Sequence, residues 1–146
     1  MARSIIAVIV SYIVMFVLTF LAFTAEYMLL GPNHAFRTGS FEASHRWIAI
    51  AFAINFVVAI IGGFMCAVIA KGGKAPLALA IVVFVLGLLL AIPSVMVEKP
   101  SAVRPGGDIP MFEAMQKAKE PRWVPFTFPI IGAIGVLVGG KLKRRA

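Results

Sequence analysis

The chain has 146 residues, 61% of them hydrophobic and only 14% charged, with a formal net charge of +8. Soluble domains carry ~45–50% apolar and ~25% charged residues, so these proportions exclude an ordinary water-soluble fold. Mean hydropathy is +0.98, and no polar stretch is long enough for a separate soluble domain, so residues 1–146 are read as a single membrane domain.

Four apolar runs cover residues 5–30, 47–70, 77–97 and 124–140. About twenty apolar residues rising 1.5 Å each span the ~30 Å hydrocarbon layer, and the first three runs clearly meet that length. Only a helix satisfies its own backbone polar groups in lipid, so the β-branched cluster Ile5, Ile6, Val8, Ile9 and Val10 is read as helical. The predicted fold is therefore an all-α, four-span antiparallel helix bundle.

The first run is read as a retained span. It far exceeds the 7–15 apolar residues of a signal peptide, and bulky Phe23 spoils a cleavage site after Ala25. Gly31-Pro32 ends the run, and the loop 31–46 follows, carrying His34, Arg37, Glu42 and His45. The connector 71–76 is short enough to force the second and third runs into an antiparallel hairpin, with Pro76 tolerated at a helix start.

The second long loop, 98–123, is irregular around Pro100, Pro105, Gly106 and Gly107. Asp108 then offers a cap for a short amphipathic helix within residues 108–120. Met111, Phe112, Met115 and Ala118 are placed on one side of it, opposite Glu113, Gln116, Lys117 and Glu120. Such a helix lies on the membrane surface, on a partner, or as a cap over the chain's own helix ends. The fourth run is short and contains Pro129, which predicts a non-helical lead-in.

Alternating spans put Arg3, Lys71, Lys74, Lys141, Lys143, Arg144 and Arg145 on one side, with no acid among them. The other side carries all six acids and also seven lysines or arginines, spread over a longer stretch. Positive density near span ends sets orientation, so both termini are predicted to be cytoplasmic, in a bacterial inner membrane. Tyr27, Trp47 and Trp123 then fall at the outer interface as aromatic anchors. Lysines and arginines at span ends suit lipid headgroups rather than nucleic acid.

Chemistry-bearing residues are sparse. Glu26 is the only acid inside an apolar run, near the outer interface where a carboxylate reaches water. Asn55 is the deepest strongly polar residue, placed to glue a helix pair by an interhelical hydrogen bond or to meet a solute. His34, Glu42 and His45 have no metal-ligand spacing, and the one cysteine, Cys66, forms neither a disulfide nor a CxxC. Neither a metal nor a cofactor is predicted. No HExxH, Walker loop or GxSxG serine with an intraspan histidine is present, so no enzyme class is supported.

Small residues make the clearer pattern. Gly132, Gly135 and Gly139 include a GxxxG, and Gly62-Gly63 with Ala59 and Cys66 makes a comparable patch. These flat faces predict close packing of the second and fourth spans, or packing on another subunit. Two functions follow as expectations. The first is a non-catalytic integral subunit of a larger membrane assembly, with membrane lipids and other subunits, or further copies of itself, as partners. The alternative is a small homo-oligomeric transporter or channel with Glu26 and Asn55 near its pathway.

Overall fold

The computed structural model describes residues 1–71, 73–97 and 110–145. Asp108 and the Pro100–Gly107 irregularity anticipated above lie outside the described residues. Among the described residues six helices follow in order: α1 (Ala2–Leu30), α2 (Pro32–Ala35), α3 (His45–Ala70), α4 (Ala75–Met96), α5 (Met111–Lys117) and α6 (Val124–Arg145). Four of them, α1, α3, α4 and α6, are long and apolar enough to cross a membrane.

Local chemistry fixes their ends. Gly31, at φ 74°, turns the chain out of α1 and returns its N–H to the Tyr27 carbonyl. Ser44 caps α3, its hydroxyl accepting the Trp47 N–H at 3.1 Å. At the other end Lys71 adopts the left-handed conformation, φ 54°, and Pro76 sits in the first turn of α4. Two arginines then serve carbonyls around this connector: Arg3 Nε donates to Ile69 O and Arg144 Nη2 to Gly73 O, each at 2.8 Å.

The fourth span differs from expectation. No non-helical lead-in precedes Pro129, because α6 is continuous from Val124, and it runs past Gly140 to Arg145. Proline is tolerated within a membrane helix when neighbouring groups serve the carbonyl it leaves unbonded. The Lys141–Arg145 tail extends the helix because lysine and arginine are good helix formers that carry the chain out of lipid.

Packing does not follow chain order. α6 lies against both α3 and α4, and α1 lies mainly against α3, while α1 and α4 touch only slightly. Around the bundle the order is α1, α3, α6, α4, leaving a loose seam between the first and last. The α3–α6 contact is the tightest, and the small residues explain it. A Cβ on Gly63 would fall on the Val136 carbonyl, one on Gly139 on the Ile60 carbonyl, and one on Gly135 on Ala59 Cβ at 2.6 Å. Gly62 abuts the Met15 side chain of α1, and Gly132 abuts Val83 of α4. All five glycines therefore face other helices of the same chain.

At the end away from the α3–α4 connector, the chain builds its own cap. The backbone at Phe41 and Ala43 exchanges hydrogen bonds of 2.8 Å with Lys119, tying the 31–44 loop to the segment after α5. Tyr27, Ala35, Phe36, Phe41 and Ala114 form the small core beneath. Met111 and Ala114 share one face of α5 and pack there together with Ala118 just past its end, whereas Phe112 and Met115, a quarter-turn around, remain exposed. The single apolar side expected for this segment is thus split into a seated strip and an open one.

Candidate functional site

The seam between α1 and α4 opens into a cavity of 390 Å³. α1 contributes Tyr12, Met15, Phe16 and Thr19 to it, and α4 contributes Val83, Gly87, Leu90, Ala91 and Ser94. Asn55 of α3 and Pro129 of α6 form its back wall, and Glu120 stands at the loop end. Gly87 makes room for the Pro129 ring, since a Cβ there would meet Pro129 Cγ at 2.6 Å. The cavity is mostly apolar with a few polar groups, the usual make-up of a small-molecule site.

Asn55 lies ten residues into α3, about 15 Å from its start. Its Nδ2 donates to the Phe128 carbonyl at 3.0 Å, joining α3 to α6 next to Pro129. Its Oδ1 makes no hydrogen bond among the described residues. The residue therefore both fixes a helix pair and lines the cavity.

Glu26 requires a correction. It lies about 32 Å along α1 from Ile5, at the edge of a ~30 Å hydrocarbon layer, as its position in the sequence implies. Yet it does not reach water: the residue is 8% exposed, and both carboxylate oxygens are covered and lack a hydrogen-bond partner among the described residues. Tyr12, Thr19 and Glu26 recur every seven residues, so they share one face of α1 to within about 20° per step. Glu26 thus falls on the same face of α1 two turns nearer the loop end, beyond the residues that line the cavity.

The aromatic residues divide. Tyr27 is buried in the cap core, edge-on to Trp47 with ring centroids 6.4 Å apart, and is not a lipid-facing anchor. The turn at Gly31 folds the 31–44 loop back over it. Trp47 also stacks on Phe23, while Trp123 keeps 56% of its surface exposed at the start of α6, beside Phe52.

Glu42 and His45 come together on Arg37 rather than around a metal position: Nη1 lies 3.6 Å from Glu42 Oε2 and Nη2 3.1 Å from His45 Nε2. Ser11 and Cys66 are both fully buried where α1 meets α3. Sequence reasoning missed Ser94 and Glu120 as cavity residues. Tyr12 and Thr19 also line the cavity, and their seven-residue spacing with Glu26 was the available signal.

Four long apolar helices packed together, with a short helix between the third and fourth, define a multi-pass helical integral membrane protein. No protein-family model, curated protein or solved structure matches the chain.

Proposed function

We propose that the protein is a small membrane carrier whose α1–α4 cavity takes a solute with an apolar body and an ammonium or similar cationic group. Glu26 is the observation that carries this reading. A covered carboxylate without a partner costs several kcal/mol unless a proton or a cation meets it. This one lies two turns beyond Thr19 on the helix face that lines the cavity, with Glu120 at the same end and Asn55 deeper in. The volume of 390 Å³ falls within the ~300–1,000 Å³ of small-molecule pockets. The carrier sits in a bacterial inner membrane with both termini cytoplasmic, so the solute meets Glu26 from outside. It works as a homo-oligomer that covers part of the broad apolar face of α1. The test is uptake of the fluorescent amine dansylcadaverine into proteoliposomes. Glu26→Gln abolishes uptake while the recovery of folded protein stays unchanged; normal uptake by that variant removes the central residue of the proposal.

A second reading, a non-catalytic subunit of a larger assembly, is favoured by one observation. Phe112 and Met115 on α5 are 73% and 54% exposed at the end of the bundle where the chain leaves the membrane. The glycine faces that also suggested a partner are already used between helices of this chain. Native mass of protein extracted from its own cells separates the two readings: other polypeptides at fixed ratio support the subunit, and a homo-oligomer supports the carrier.

A further inference from the structure

The loop end of the bundle holds a second cavity, of 340 Å³, lined by Asn33, His34, Arg37, Ser44, His45 and Arg46. Two arginines and two histidines therefore border one space, and no acid is among its lining residues. The neighbouring acid, Glu42, is engaged from the side by Arg37 at 3.6 Å. Because a guanidinium only donates, the 3.1 Å contact between Arg37 Nη2 and His45 Nε2 makes the imidazole nitrogen the acceptor. That contact orients Arg37 and leaves it donors to spare.

Two further features favour a ligand here. His34 Nε2 is covered and has no hydrogen-bond partner among the described residues. The walls are also fixed to each other: Ser44 Oγ donates to the His34 carbonyl at 2.5 Å and accepts the Trp47 N–H at 3.1 Å. A preformed cavity bordered by two arginines and no acid suits an anion. The first residues of α3, His45 and Arg46, border it as well, adding the positive end of a 26-residue helix. Arg46 is followed at once by the apolar run of α3, so the cavity lies at headgroup depth.

We propose that this cavity binds a phosphate group at the membrane surface, with Arg37 and Arg46 as its cations and His34 and Asn33 as further hydrogen-bond partners. Guanidinium groups match the paired oxygens of a phosphate, and phosphates are the anions concentrated at this depth. A phospholipid headgroup and a soluble phosphate present the same chemistry. The proposal does not rest on the carrier reading, since none of these six residues lines the α1–α4 cavity.

The test uses the full chain in a phosphate-free nonionic detergent, with binding followed by native mass spectrometry. Two probes are titrated: dihexanoylphosphatidylglycerol and inorganic phosphate. Wild-type protein binds at least one of them, and the Arg37→Gln/Arg46→Gln double variant binds it about tenfold more weakly. Arg46→Gln alone, whose side chain makes no hydrogen bond or ion pair among the described residues, weakens binding about threefold without disturbing the Arg37–Glu42 pair. Lys74→Gln, at the opposite end of the bundle, changes binding by less than about twofold. Binding of the lipid alone identifies a headgroup, and equal binding of inorganic phosphate identifies a soluble source. The proposal is overturned if neither probe binds, if the double variant binds as wild type, or if Lys74→Gln loses as much as Arg46→Gln.

Discussion

Gly63 of α3 lies directly on the carbonyl of Val136 in α6, so that a Cβ at Gly63 would occupy the space of the Val136 oxygen. Gly139 repeats the relationship from the other side, against the Ile60 carbonyl. Backbones that meet this closely gain dispersion contact that lipid tails cannot supply, and no side chain can be added without separating the helices. Gly63→Leu and Gly139→Leu should each cost more than about 3 kcal/mol, seen as loss of a monodisperse species in detergent. Gly62→Ala should be far milder, under about 1.5 kcal/mol, because the atom in the way is the end of the flexible Met15 side chain. Equal losses for Gly62→Ala and Gly63→Leu would contradict this difference between a backbone and a side-chain obstacle.

Asn55 contributes one interhelical hydrogen bond, to the Phe128 carbonyl. Asn55→Leu keeps most of the volume and removes the donor. It should lower stability by about 0.6–2 kcal/mol, measured as a modest fall in the thermal midpoint in detergent.

Replacing Glu26 by Gln removes a covered charge that has no partner among the described residues. The thermal midpoint of Glu26→Gln at neutral pH should therefore equal or exceed that of wild type. A clear loss of stability would mean that the carboxylate is paired in the folded protein.

Arg3 and Arg144 donate to carbonyls on either side of the α3–α4 turn. Both side chains are exposed, so Arg3→Ala and Arg144→Ala should each lower stability by no more than about 1 kcal/mol. Both effects should shrink as salt is raised, which thermal melts at two ionic strengths will resolve.

Span number and most span ends were legible because the bilayer requires long apolar runs and because Gly31, Ser44 and Pro76 carry local turn and cap chemistry. The end of α6 was not, since hydropathy stops at Gly140 while helical hydrogen bonding continues through the basic tail to Arg145. Helix adjacency was only partly legible. The glycine patches point α3 and α6 toward each other, but nothing local reveals that α1 and α4 barely touch and leave a cavity. The exposure of Glu26 was not legible, because its cover comes from packing between distant segments. The heptad stripe of Tyr12, Thr19 and Glu26 is a pattern in the sequence whose meaning depends on that seam.

The most direct test of the carrier proposal is equilibrium binding of dansylcadaverine to the protein in nanodiscs, read by the fluorescence gained on transfer into an apolar site. Wild-type protein should bind saturably, Asn55→Leu more weakly, and Glu26→Gln about tenfold or more weakly, with all three proteins equally folded by circular dichroism. Saturable binding unchanged by Glu26→Gln, or no binding above that of empty nanodiscs, would contradict it.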